Sequence, residues 1–147
     1  MISTSSREFL EAPIADLIIP SDKVAHVQLG NSAEHALLVL TKTGYSSIPV
    51  LDMDYRLQGL LSMRMITESI LGLDHIEFEK LDTIKVNDIM DADVAMLNIN
   101  DKFQKALDLV INHAFLYVVD DDSTFVGIMT RRVILKQLKK HIYQPNS

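Results

Sequence analysis

Two arginines stand where a helix least tolerates them. Thr130-Arg131-Arg132 follows the apolar run Phe125-Val-Gly-Ile-Met129 and opens a segment with helical periodicity. A strand-to-helix junction is predicted there, with a hydroxyl and two guanidinium groups at its head. A helix N-terminus carries about half a unit of positive charge, so each cation in the first turn loses roughly 0.3–1 kcal/mol. An anionic ligand offsets that loss. Free backbone N–H groups, the Thr130 hydroxyl and two guanidinium forks form a receptor of phosphate size. The plainer alternative is that Arg131 and Arg132 are solvated surface residues.

The junction has an echo. Ile48-Pro-Val-Leu-Asp52, a polar turn and Leu57-Gln-Gly-Leu-Leu-Ser-Met-Arg64 match Leu116-Tyr-Val-Val-Asp120, a turn and Phe125-Val-Gly-Ile-Met-Thr-Arg-Arg132 at a constant spacing of 68 residues. Asp52 pairs with Asp120, Gly59 with Gly127, Ser62 with Thr130 and Arg64 with Arg132. Such coherence marks an internal tandem repeat. Each repeat alone, at about 60 residues, is marginal, so the pair is expected to share its stability.

The elements that must position these groups follow in order. A short helix is predicted over 6–12, a helical turn over 14–19 and a strand over 24–27. A helix follows from Asn31 or Ser32 to Gly44, then a hairpin of 48–51 and 57–61, then a helix capped by Ser62. The second repeat predicts a turn over 86–90, a strand over 94–97, a helix over 101–113, strands over 115–119 and 124–129, and a last helix over 131–141. Ala36-Leu37 and Ala106-Leu107 pair at 70 residues rather than 68. The second repeat is therefore two residues shorter between helix and hairpin, so that 44–49 has no full counterpart. Gly72–Asp82 reads as a connector packed on the surface.

Composition narrows the function. The 147 residues are 48% apolar and 23% charged, contain no cysteine and carry a net charge of -6. Disorder, a disulfide framework, thiolate chemistry and a duplex-coating surface are all disfavoured. No apolar run reaches the roughly 20 residues of a membrane span, and residues 1–8 show no secretory pattern, so a cytoplasmic protein is expected, with neither DNA nor a membrane as partner.

The repeated strand, turn and Gly-x-x-Ser/Thr junction resembles the cystathionine-β-synthase (CBS) domain, here twice, over 8–72 and 80–142. The resemblance implies an α+β fold: two βαββα repeats about a pseudo-twofold axis, forming one Bateman module that assembles as a homodimer and binds adenine nucleotides. Members that bind AMP or ATP usually carry an acid three positions after the hydroxyl, where it holds the ribose. Here those positions are Met65 and Val133. A cyclic dinucleotide, whose ribose 3′ oxygens are esterified, suits a site rich in arginine and poor in carboxylate. In its length, bare two-repeat plan and Thr-Arg-Arg motif the chain is similar to the small bacterial cyclic-di-AMP-binding CBS proteins of the CbpB type.

That resemblance implies a nucleotide cleft between the repeats, using Lys23, Ala25 and Val27 from the first strand, Tyr45, Ser46, Ser47, Ile48 and Pro49 before the hairpin, and Thr130, Arg131 and Arg132. Lys23 adds charge, Ala25 admits a base or sugar, Tyr45 can stack on a base or pack half-buried in its loop, and backbone near Ser47 and Ile48 can read an adenine edge. A second, weaker cleft would use Phe115, Leu116, Tyr117, Ser62 and Arg64. The implied partner is an enzyme of (p)ppGpp metabolism or central carbon metabolism, engaged by the empty dimer and released when cyclic-di-AMP binds.

Other features carry less. Asp120-Asp-Asp-Ser123 lacks the spacing of a calcium loop and reads as a hairpin turn, and the five histidines show no zinc pattern. Neither a metal nor a cofactor is implied. Lys136, Lys139, Lys140 and His141 complement the dipole at the end of the last helix and offer a partner surface rather than a ligand site. No nucleophile with a matched base is present, which points away from an enzyme. An AMP- or ATP-binding module, a phosphoryl-transfer enzyme and an interaction module that binds no nucleotide remain as alternatives.

Overall fold

Short apolar runs around polar turns make hairpins, and runs with helical spacing bounded by a hydroxyl and a glycine make helices. The computed structural model, which describes residues 4–143, carries both. Its elements are α1 (Thr4–Leu10), β1 (Ile19–Pro20), β2 (Val27–Gln28), α2 (Ala33–Thr43), β3 (Ser47–Leu51), β4 (Leu57–Ser62), α3 (Met63–Ser69), α4 (Val86–Ile89), β5 (Met96–Asn98), α5 (Phe103–Val110), β6 (Phe115–Val119), β7 (Phe125–Thr130) and α6 (Arg131–Tyr143).

Two compact units result among the described residues, one of residues 25–94 and one of residues 4–24 with 95–143. In the first, β2 pairs parallel with β3 and β3 antiparallel with β4. In the second, β5 pairs parallel with β6, β6 antiparallel with β7, and β1 adds antiparallel to the outer edge of β7. The fold is mixed α+β, as expected. Each unit has its own apolar core: Val27, Ala36, Leu40, Ile48, Leu61, Ile66 and Val86 in one, Ile14, Leu97, Phe103, Ala106, Leu116, Met129 and Ile134 in the other.

The hairpin turns are alike atom for atom. Asp52 Oδ1 accepts from the backbone N–H groups of Asp54 and Arg56, both at 2.9 Å, and Asp120 Oδ1 accepts from Asp122 and Thr124 at 2.9 and 3.0 Å. Tyr55 and Ser123, 68 residues apart, both adopt a left-handed backbone, at φ 64° and 65°. The carboxylate ties down turn N–H groups that the hairpin leaves open.

The units do not coincide with the sequence repeats. The segment before β2 completes the unit that holds the second repeat: Ile19 and Pro20 pair with Ile128 and Gly127, and the N–H of Phe103, heading α5, donates to Ala12 O at 2.9 Å. The segment before β5 does the same for the other unit. Leu60 and Asp91 exchange backbone bonds at 2.9 Å, and Ala33 N–H donates to Ile84 O at 2.8 Å. Each hairpin is thus closed by the opening segment of the other repeat. This explains the repeated glycines. A Cβ on Gly127 would lie 2.2 Å from Ile19 O, and one on Gly59 would lie 2.7 Å from Asp91 O.

Several bounds shift: the first helix runs 4–10 rather than 6–12, the strand of the second repeat 96–98 rather than 94–97, and its helix 103–110 rather than 101–113. Of the helical turn expected over 14–19, residues 15–17 form a 3-10 turn, while 18 and 19 are extended, because Ile19 and Pro20 add to the edge of β7, where Pro20 needs no donor. The first strand starts at Val27 rather than residue 24. The two missing residues of the second repeat come out of the helix and not the loop: α2 has 11 residues and α5 has 8.

Candidate functional site

Two matching strand-to-helix junctions stand out, one in each unit. Ser62 closes β4 in an extended conformation and its Oγ accepts from Met65 N–H at 3.2 Å. Thr130 closes β7, and its Oγ1 accepts from Val133 N–H at 3.2 Å. Both hydroxyls are therefore N-caps, which occupies an acceptor lone pair and leaves each O–H proton available to an outside oxygen. A second match binds each helix head to its own sheet: Met63 N–H donates to Ser46 O at 3.2 Å, and Arg131 N–H donates to Ala114 O at 2.9 Å.

The arginines differ. Helix α2 ends on Gly44, left-handed at φ 75°, whose N–H returns to Leu40 O. Helix α5 lacks such a glycine, and Ile111 follows it with ordinary helical dihedrals. The partly buried Arg131 takes over that role, its Nε donating to Val110 O at 2.8 Å. One orphan carbonyl of α5 is thereby satisfied by a side chain from α6. That bond leaves the two terminal nitrogens of Arg131 outside it, while Arg132 is exposed.

In the other unit Arg64 is paired within its own helix. Its Nε donates to Glu68 Oε1 at 2.8 Å, one helical turn on, and that contact raises the Arg64 pKa. The residue one turn beyond Arg132 is Lys136. Arg131, Arg132, Leu135, Lys136 and Lys139 line a groove of about 440 Å³ along α6, with no carboxylate in its wall. The lysines of this groove entered the sequence reading as dipole complements and as a partner surface, with no ligand role. The sign that marked them was the absence of any Asp or Glu in the 13 residues of α6.

The remaining expected residues are distributed as follows. Lys23 is exposed at the end of a 3-10 turn, Ser21–Lys23, in the same unit as Thr130, Arg131 and Arg132. Ala25, Val27 and 45–49 lie in the other unit. Val27 and Ile48 are buried in its core, and Pro49 is buried too. Tyr45 and Ser46 are exposed, and Ser47 is half-buried. At the weaker site, Leu116 and Tyr117 are buried.

Residues 14–72 and 86–140 each match the CBS domain. The chain belongs to the CBS domain family. Among its relatives, cyclic di-AMP receptor B of Bacillus subtilis is 56% identical over 146 residues, covering 99% of both chains. The structure of the CbpB protein of Listeria monocytogenes in complex with c-di-AMP superposes with a TM-score of 0.82 at 52% identity, covering 88% of this chain and 97% of that one. A CBS domain-containing protein of unknown function from Bacillus anthracis superposes with a TM-score of 0.85 at 54% identity, over 91% and 97% of the two chains. No helix among the described residues is long and apolar enough to cross a membrane.

Proposed function

We propose that this CBS protein is a cyclic-di-AMP receptor that signals by changing its contacts with a partner protein rather than by catalysis. The observation that carries the reading is the head of α6: a capping hydroxyl, two arginines and, at Val133, no carboxylate to hold a free ribose. Full-length likeness to a relative named as a cyclic di-AMP receptor supports the same ligand. Arg132 and the Thr130 hydroxyl hold a phosphate, with the terminal nitrogens of Arg131 and the Lys23 ammonium adding charge. Base and sugar are assigned to Ala25, Tyr45, Ser46 and Ser47, and to the backbone of Val27, Ile48 and Pro49. The working state is a cytoplasmic homodimer, and the partner is an enzyme of (p)ppGpp or central carbon metabolism that prefers the empty form.

Titration calorimetry with cyclic-di-AMP, cyclic-di-GMP, AMP and ATP tests the reading. Cyclic-di-AMP is expected to bind most tightly, with no turnover in the same samples. AMP or ATP binding equally well would replace it with an ordinary adenylate sensor.

A further inference from the structure

Helices α2 and α5 occupy matching places but end on different groups. At the hairpin spacing of 68, Thr43 corresponds to Ile111, and Gly44-Tyr45 to Asn112-His113. The end of α5 is closed by Arg131, from outside the helix. The end of α2 uses its own hydroxyl: Thr43 Oγ1 donates to Val39 O at 2.9 Å, with Leu40 O at 3.3 Å sharing the proton. That direction is fixed, because a carbonyl oxygen only accepts. The hydroxyl oxygen is then left as an acceptor for the chain that follows, and Tyr45 N–H donates to it at 3.4 Å. One residue on, Ser46 O accepts from Met63 N–H at 3.2 Å, at the helix head capped by Ser62. The backbone of Tyr45 is thereby held on both sides while the residue stays 39% exposed.

We propose that Thr43 is a positioning residue for nucleotide binding: its hydroxyl presets the backbone of Tyr45, so that the ring stands in place before a base arrives. The inference rests on the base contact assigned to Tyr45 above, and Thr43 itself is given no contact with the ligand. Gly44 is the reason a pin is needed. Glycine rotates more freely than any other residue, and this one is left-handed at φ 75° immediately before Tyr45. Its own N–H, bonded to Leu40 O at 2.9 Å, fixes the amide before it. The bond from Tyr45 N–H to Thr43 fixes the amide after it, so both rotations of the glycine are set. Without that second bond the tyrosine must be ordered when the nucleotide binds, and ordering costs affinity. The bond is long and exposed to competing water, so the effect is a matter of a few-fold rather than of all or nothing. At the weaker site Ile111 has no hydroxyl with which to do the same.

The test uses the full chain, cyclic-di-AMP titrated by calorimetry, and amide hydrogen exchange of the free protein followed by NMR. Thr43→Val, which keeps the branched shape, is expected to weaken binding roughly three- to tenfold, the range of one net hydrogen bond. Thr43→Ser keeps the hydroxyl and is expected to stay within about twofold of wild type. Tyr45→Ala is expected to lose about tenfold, and adding Thr43→Val to it to cost less than about twofold more, because no ring remains to be placed. In free Thr43→Val the Tyr45 amide is expected to exchange at least about threefold faster while the Gly44 amide is unchanged. Wild-type affinity in Thr43→Val, failure of the serine to restore it, or an equal loss with and without Tyr45 overturns the inference. So does faster exchange at Gly44 as well, which marks a frayed helix end rather than a loosened tyrosine. If Tyr45→Ala binds like wild type while Arg132→Met does not, the base contact and this inference both fall and the receptor reading stands. A wild-type chain that binds no cyclic-di-AMP refutes the receptor reading itself, an outcome told apart from the others because each of them requires wild-type binding.

Discussion

Arg131 Nε donates to the carbonyl oxygen of Val110 at 2.8 Å, so one of two adjacent arginines is anchored into the last turn of α5. Its neighbour Arg132 is exposed, with no such anchor among the described residues. The pair divides into a clamp and a free guanidinium, and the two can be separated by mutation.

Arg132→Met is expected to cost a charge-assisted phosphate contact of roughly 1.5–3 kcal/mol, about a tenfold to hundredfold loss of affinity for cyclic-di-AMP. Removal of an exposed side chain should leave the melting temperature of the free protein unchanged. Calorimetry and thermal melting on one preparation check both. A variant that binds like wild type places the phosphate elsewhere.

Arg131→Met is expected to lower stability even without ligand, by about 1 kcal/mol, because the Val110 carbonyl loses its partner. At this chain length that is a fall in Tm of roughly 2–4 °C. An unshifted melting curve would show the contact to be energetically idle.

Thr130 has one hydroxyl for two tasks. Thr130→Ala removes the cap on Val133 N–H, a loss of about 1 kcal/mol, together with the donor proposed for the phosphate. Thr130→Ser keeps both. The serine variant is therefore expected to melt and bind like wild type and the alanine variant to fall short in both measurements. An alanine variant that loses stability alone would confine Thr130 to capping.

The two repeated glycines are not equally replaceable. At Gly127 a methyl group would meet Ile19 O at 2.2 Å and Ile18 Cγ2 at 2.4 Å, so backbone must move. At Gly59 the contacts are Asp91 O at 2.7 Å and the flexible Met90 thioether at 3.0 Å. Gly127→Ala is expected at or above the top of the roughly 1–3 kcal/mol range for overpacking, and Gly59→Ala nearer its bottom. Equal losses on denaturant unfolding would contradict this account of the crossing strips.

The hairpins were legible because short apolar runs, the Asp turns and the glycine spacing are local signals: residues 115–119 form a strand as read, and Ser32, Ser62 and Gly44 bound their helices as their types suggest. What the glycines pack against was not legible, since Ile19 and Asp91 are far away in sequence and only pairing brings them there. The same holds for residues 18–20, whose extended form is imposed by the edge of β7. Arg131 and Arg132 looked interchangeable for a similar reason. Only the missing glycine after α5 hinted that a carbonyl there needed a donor from outside, and that hint becomes usable once Val110 and Arg131 are known to meet.

The crossing strips bear on how such a chain could have arisen and how it could be divided. A half-length ancestor with a single βαββα unit would have carried its closing strip at its own front end, where its own sheet does not use it. Two copies would have had to lend each other that strip, and joining the genes end to end would turn a mutual loan into an internal one. A break placed between the sequence repeats, near residue 74, should therefore yield fragments that fold poorly apart and well when mixed.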